Sequence, residues 1–268
     1  MKTDLKKIQL SRQLQEESYK FPYHYLVSFN SDNYANFSQC RNNPGGYRYA
    51  SYLIRVLEYL ENKKFSSIVD IGCGDGFFVG KLFENFPNKK IVGIDLSSQA
   101  ISFARIFNSD KNVEFLNMNI VDEDIGRKFD IVTLIEVLEH IPPEDINDFL
   151  KSIHTMLNDN GKLILTVPST NSSIKQIKRH FQHFDDKSLI ETLSNYFKVT
   201  KIQYINKENL LTKIITRGFT NSFFVLDNDR IKNYLFSFYL KNFLKANKSN
   251  GIRLFAVCEK KWDHCDIW

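Results

Sequence analysis

The sequence predicts an α/β fold: a doubly wound, seven-stranded sheet with helices on both faces and its last strand antiparallel, plus an N-terminal helical leader and a helical cap inserted late in the chain. Three observations carry that prediction. Between residues 66 and 205, short β-branched runs alternate with helical patterns, as in a parallel sheet with helical crossovers. A tight glycine loop, Gly72-Cys73-Gly74-Asp75-Gly76, follows the first of those runs directly. The 268 residues hold only 11 Gly and 6 Pro and are 43% apolar and 25% charged, which excludes collagen-like repeats, long linkers and disorder.

Taken in order, residues 1–20 read as a charged helix, and residues 21–50 are rich in Tyr, Phe and Asn without a clear period. YASYLIRVLEYLEN then returns to helical spacing. The strands are SSIVDI (66–71), KKIVGID (89–95), NVEFLNM (112–118), FDIVTLI (129–135), GKLILTV (161–167) and FKVTKIQYI (197–205). Between them lie GFFVGKLFENF, SSQAISFARIF, PEDINDFLKSIHTML and DKSLIETLSNYF, each with Asp, Ser, Gly or Pro near its start as a helix entry signal. Right-handed crossovers make the sheet doubly wound. A seventh strand, GIRLFAVCEK (251–260), comes only after LLTKIITRGF and RIKNYLFSFYLKNFLKANK, so a closing antiparallel hairpin makes that helical segment an insertion between its arms. The expected organisation is a leader or lid over 1–50, a core over 51–205, a basic cap over 206–250, and a last strand and tail over 251–268.

The net charge of +5 is concentrated. Residues 206–250 carry eight Lys and Arg against three acids, while the rest of the chain is balanced at 28 against 28. Such a segment faces an anionic substrate, an acidic partner or a membrane surface, or is simply a solvated helix face. No run is long and apolar enough for a membrane span, and the first residues carry charges where a signal peptide has its apolar stretch, so the expected location is the cytoplasm. Cys40, Cys73, Cys258 and Cys265 form no CxxC pair, which argues against a disulfide framework or a zinc site.

The glycine loop lies at the carboxyl edge of the sheet, where open α/β folds bind ligands. Asp95 ends the next strand 19 residues after Gly76, placed to accept hydrogen bonds from both hydroxyls of a ribose. A dinucleotide loop is GxGxxG, whereas this one is GxGxG with an acid two residues ahead of its first glycine. Asp70 and Asp75 would repel a pyrophosphate but suit a ligand bearing an ammonium and a sulfonium. That points to S-adenosylmethionine (SAM).

VDIGCGDG, IVGIDLS, FDIVTLIEVLEHI and GKLILTVPS together resemble the successive motifs of the class I SAM-dependent methyltransferases, which have a Rossmann-like core, over roughly residues 50–205. The resemblance implies Asp70, Gly72, Cys73 and Gly74 around the methionine moiety, Asp95 on the ribose and Leu96 on the adenine. It also implies Ile135 and Glu136 beside the cofactor at the end of the fourth strand. Where the family usually has an acid that accepts from the adenine amino group, this chain has Asn119 between Met118 and Ile120. An amide oxygen can still accept that bond, without the charge.

Glu136, Glu139 and His140 follow the fourth strand, and on one continuous helical turn all three face a common centre. Such ligands suit Mg²⁺ or another divalent ion. The EVLEH string resembles ubiquinone-biosynthesis O-methyltransferases and small-RNA 2′-O-methyltransferases, where these positions hold a metal, and also relatives without one. In the plainer alternative Glu136 lines the cofactor and His140 orders the loop. Further on, His180 and His183 offer another ligand or a general base, and His24 in the aromatic leader is a further candidate, so His140, His180, His183 and His24 are the base candidates. His154 and His264 read as structural or solvent-facing.

The acceptor is legible only from the outer segments, since one fold methylates many chemical classes. The leader and cap suggest an enclosed pocket, and the cap's charge, with Lys175, Lys178 and Arg179, suggests a small acceptor bearing phosphate or another anion. The leading expectation is O-methylation of a bacterial surface-polysaccharide precursor. A quinone-type lipid, met with the last cap helix on a membrane surface, is the alternative, followed by RNA, for which no recognition module is seen. A non-catalytic SAM-binding protein ranks last. The apolar content of the cap also suits a homodimer contact.

Overall fold

The computed structural model describes residues 45–172, 180–219 and 228–261, together with scattered positions among the first 44 residues. Seven strands form one sheet: β1 (Ser67–Ile71), β2 (Lys90–Asp95), β3 (Glu114–Asn117), β4 (Phe129–Ile135), β5 (Leu157–Pro168), β6 (Phe197–Lys207) and β7 (Gly251–Lys260). Their spatial order is β3-β2-β1-β4-β5-β7-β6. The first five run parallel, and β7 lies antiparallel between β5 and β6. The order reverses between β1 and β4, which opens a crevice at the carboxyl ends of these strands.

Period-two alternation decides which helix covers which face. Val69 and Ile71 point to one side, where α4 (Ile146–Met156) and α5 (Asp186–Leu193) bury Phe149, Leu150, Ile153, Leu189 and Leu193. Ile68 points to the other, which is covered by α1 (Gly45–Glu61), α2 (Phe77–Asn85) and α3 (Ser98–Phe107) through Leu53, Leu57, Phe78, Leu82 and Ile101. Burying a side chain of this size contributes about 2 kcal/mol, so the two faces make the sheet the stable centre of the molecule. The helix entries are specific. Ser97 accepts from Ala100 N at 3.1 Å to start α3, and Asp185 forms a capping box with Ser188 to start α5.

The segment between β6 and β7 holds α6 (Leu210–Phe219) and α7 (Asp229–Phe243). A third apolar cluster joins α7 to α1, with Phe236, Tyr239 and Phe243 against Tyr47, Ala50 and Ile54. Asn206, at φ 57°, donates to Ser51 Oγ at 2.6 Å and to Tyr239 Oη at 2.9 Å, tying β6, α1 and α7 at one point. Arg48 pairs with Glu208 at 2.8 Å on the same side. In the leader a two-residue ladder pairs Ser28–Phe29 with Ala35–Asn36, and the latter strand lies against α7.

Several boundaries differ from the expected ones. α1 begins at Gly45, crossing the anticipated border between leader and core. β5 begins at Leu157, which pairs with Phe129 ahead of a register shift. β3 stops at Asn117, leaving Met118 beyond the strand. α7 stops at Phe243, because the chain that follows joins β6: Asn206 N donates to Leu244 O, and Ile205 bridges Lys245. Among the described residues no helix is long and apolar enough to cross a membrane.

Candidate active site

Three left-handed glycines shape the loop after β1: Gly72 at φ 73°, Gly74 at φ 57° and Gly76 at φ 77°. Other residues rarely adopt these angles, and a Cβ at Gly72 would also lie 2.4 Å from Val137 Cγ2. Gly76 opens α2 with no side-chain cap, so backbone N–H groups and the positive end of the helix face the crevice. The loop is held by β2, since Gly72 N and Cys73 N both donate to Ile94 O and Gly74 N donates to Asp95 Oδ2 at 2.8 Å. Ser97 N occupies Asp95 Oδ1 at 2.9 Å. One carboxylate thus orders both the glycine loop and the turn that leads into α3.

Asp70 is buried at the end of β1 and accepts from Thr133 Oγ1 at 2.6 Å. Burial pushes its carboxyl up to about 7, against the Thr133 bond, and the nearby Asp95 adds to the rise. Cys73 packs its side chain among Phe77 and Phe115 in the core, so only its backbone is left for a ligand. Burial, with the carboxylates Asp95, Asp70 and Asp75, keeps its thiol well above the usual range. Leu96 is 60% exposed beyond β2, an open apolar surface next to Asp95. Asn117 braces this corner by donating to Asp95 O and Leu96 O.

After β3, Ile120 is buried in the core and Met118 packs against it. Asn119 uses its amide within its own turn, accepting from Val121 N at 3.3 Å and donating to Asp122, which leaves one lone pair on Oδ1. Ile135, half-buried, ends β4.

The acidic and histidine cluster differs from its expected geometry. Glu136 sits at φ 56°, and only Leu138–His140 form a short 3₁₀ turn, so Glu136, Glu139 and His140 do not share one helical turn. The left-handed residue swings Glu136 toward β7, where Arg253 Nε lies 2.6 Å from its Oε2. The structure instead groups Glu139, His140 and His180, with one ligand atom of each within 4.8 Å of the others. Glu139 is buried, its Oε2 has no hydrogen-bond partner, and burial and Glu136 push its carboxyl well above the usual range. Phe181 N donates to Glu139 O at 2.8 Å, which draws the loop after β5 onto this turn. His140 and His180 meet edge to face at 4.8 Å, and His180 Nδ1 lies 2.9 Å from His183 Nε2. Burial, helped by Arg253, lowers the His183 pKa, favouring neutral imidazole.

His24, Lys175, Lys178 and Arg179 lie outside the described residues, as do Cys40, Cys265 and His264. His154 is packed, with Nε2 at 2.8 Å from Lys261 O. Two residues at the site were not singled out from sequence. Thr133, buried mid-strand beside Asp70, carries no sequence signal. Arg253 does carry one, as a charged residue inside the otherwise apolar run GIRLFAVC.

A family model described as a methyltransferase domain matches residues 42–221. A malonyl-[acyl-carrier protein] O-methyltransferase of Acetivibrio thermocellus is 30% identical over 105 residues, covering 39% of this chain and 35% of that protein. A ubiquinone biosynthesis O-methyltransferase of Coxiella burnetii is 29% identical over 140 residues, covering 48% of this chain and 57% of its own length. The chain thus spans about a third to just over half of these curated relatives. Among solved structures, the plantazolicin methyltransferase BpumL, in complex with a triazolic desmethylPZN analog and S-adenosylhomocysteine (SAH), superposes with a TM-score of 0.55 at 17% identity, covering 98% of this chain and 100% of that one. The N-methyltransferase NodS of Bradyrhizobium japonicum gives 0.53 at 16% identity, covering 82% and 89%. These two likenesses show the fold. With the family match spanning most of the sequence, the chain belongs to the class I SAM-dependent methyltransferases.

Proposed function

We propose that this methyltransferase transfers the methyl group of SAM to a hydroxyl of a small anionic acceptor, of the phosphate- or nucleotide-linked kind used to build bacterial surface polysaccharide. One observation carries the choice of reaction. The glycine-loop and Asp95 cradle opens on the same sheet edge as the His140, His180 and His183 imidazoles. The O-methyltransferase names of the two curated relatives support oxygen as the acceptor atom.

In this reading Asp95 holds the ribose, Asp70 and the loop backbone receive the methionine end, and Leu96 covers the adenine. The acceptor oxygen donates an electron pair to the methyl carbon while the carbon–sulfur bond breaks, leaving SAH as a neutral thioether. The hydroxyl proton passes to an imidazole, for which His183 is suited by its lowered pKa. The methyl carbon is already activated, so alignment supplies most of the acceleration. Glu139, His140 and His180 would hold a divalent cation, whose chemistry when bound is to lower the pKa of a coordinated hydroxyl. The positive charge of the segment that carries α6 and α7 favours an anion.

A second reading, a quinone-type lipid acceptor, is favoured by the outer face of α7, where Ile231, Tyr234 and Phe238 are exposed among Arg230, Lys241 and Lys245. The first test is calorimetric titration of SAM and SAH into wild type and Asp95→Ala. Micromolar-range binding that is lost in the variant is expected, and folded wild type that binds neither would sink the reading. Labelled SAM with phosphorylated and nucleotide-linked sugars, set against a short-chain quinol, then separates the acceptor classes.

A further inference from the structure

We propose that Thr133 is a positioning residue for the cofactor: its hydroxyl holds the Asp70 carboxylate in the orientation and charge state that receive the ammonium of SAM. The two residues lie opposite each other in the β1–β4 ladder, so their side chains point to the same face of the sheet. Thr133 is fully buried, and its Oγ1 donates to Asp70 Oδ1 at 2.6 Å. Among the described residues this is the only hydrogen bond to the Asp70 side chain. A hydroxyl in the middle of a central strand costs desolvation that a valine of the same shape would not, so its place in the run FDIVTLI is explained by what it bonds.

Little else in the protein favours a charge at Asp70. The titratable groups gathered with it are Asp95 from β2 and Cys73 and Asp75 from the loop, all of them acids. Burial and Asp95 both disfavour the carboxylate, and the Thr133 bond is the opposing influence. A hydroxyl also suits both states of the carboxyl, because it can donate and accept. With Asp70 ionised, Thr133 Oγ1 donates to Oδ1. With Asp70 protonated, the carboxyl O–H donates to Oγ1, and the threonine hydrogen turns to Val69 O at 3.4 Å. Neither state leaves Oγ1 without a partner, so Asp70 can gain its charge as the ammonium arrives with no rearrangement of the strands. Valine offers neither bond, which leaves the burial of the carboxylate unopposed until the cofactor binds.

The proposal rests on the reading in which Asp70 receives the methionine end, and is independent of the acceptor. Its test compares SAH with 5′-methylthioadenosine, a neutral probe that keeps the adenosine and the thioether but lacks the amino-acid end. Calorimetry is run on full-length wild type, Thr133→Val, Thr133→Ser and Asp70→Asn between pH 5.5 and 7.5. At pH 6, Thr133→Val should bind SAH about tenfold more weakly than wild type, the contribution of one charge-assisted hydrogen bond. Its rise in SAH affinity with pH should lie about one pH unit higher, because an Asp70 that ionises less readily needs a higher pH to meet the ammonium. Thr133→Ser should restore both the affinity and the profile. Methylthioadenosine, with no ammonium to sense Asp70, should bind every variant within about twofold at every pH. A Thr133→Val protein that loses methylthioadenosine as much as SAH overturns the proposal, since Thr133 would then be only a support for the loop. An SAH profile that stays where it is in wild type overturns it as well. If Asp70→Asn also leaves SAH binding unchanged, the placement of the methionine end falls too; if Asp70→Asn alone flattens the profile, that placement stands and only the role of Thr133 is lost.

Discussion

Asp70 and Asp95 are both buried carboxylates at the sheet edge, yet their surroundings set them apart. Asp95 accepts from two backbone N–H groups, while Asp70 has one hydroxyl donor and full burial, and its carboxyl rises to about 7. A folded-state pKa raised above the unfolded value means that Asp70 contributes stability at pH below about 4, which is lost progressively as pH rises to about 7. A bound cation reverses the preference, because the sulfonium and ammonium of SAM favour the carboxylate. SAM affinity should therefore rise by about tenfold between pH 5.5 and 7, a window below the titration of the α-amino group. Calorimetry across that window should show the rise in wild type and a flat profile in Asp70→Asn. An equal pH dependence in the variant would remove Asp70 from the methionine end.

Among the elements, the attachment of α7 is the most exposed to a single change. Asn206 places its amide nitrogen between Ser51 Oγ and Tyr239 Oη, and its φ of 57° is one that Asn tolerates better than most residues. Asn206→Ala takes a donor from both hydroxyls, leaves Ser51 Oγ with its bond to Arg48 O at 2.7 Å, and keeps the strained backbone, so urea denaturation should show a loss of about 2 kcal/mol. Faster amide exchange in α7 than in α4 should accompany it, and uniform acceleration would mean that the cap does not open separately. The same elements show what sequence could carry. All seven strands and both cap helices are local patterns of period 2 or 3.6, and they are found within a few residues of their expected places. The cradle was legible too, because Gly72, Gly74, Gly76 and Asp95 act through spacing along adjacent strands. The EVLEH cluster was not: its i, i+3, i+4 spacing assumes continuous helix, and a left-handed Glu136 breaks that assumption. Its partner Arg253 arrives from the last strand, a contact made by sheet order rather than by proximity in sequence.

At the scale of the molecule, the chain outside the late insertion is balanced in charge and the insertion supplies the positive excess. Lys213, Arg230, Lys241 and Lys245 are exposed on α6 and α7 or just past it, and Glu208, one of the three acids in this segment, is already paired with Arg48. Charges on an outward face cannot touch an enclosed acceptor, so their influence on an anion is long-range and must be screened. Between about 0.1 M and about 1 M salt the screening length falls from about 10 Å to about 3 Å. For an anionic acceptor, KM should rise several-fold over that range with kcat unchanged, since salt weakens encounter and leaves the aligned transition state alone. Lys241→Glu with Lys245→Glu should reproduce the rise at low salt while SAM affinity stays constant. If the acceptor is a membrane lipid, the apolar residues decide instead: Tyr234→Ser with Phe238→Ser should abolish flotation with vesicles of phosphatidylcholine and phosphatidylglycerol, and turnover of a soluble phosphorylated sugar should be absent at any salt. A KM indifferent to salt, together with no flotation, would leave the cap's charge as a solvated surface and move recognition of the acceptor wholly inside the pocket.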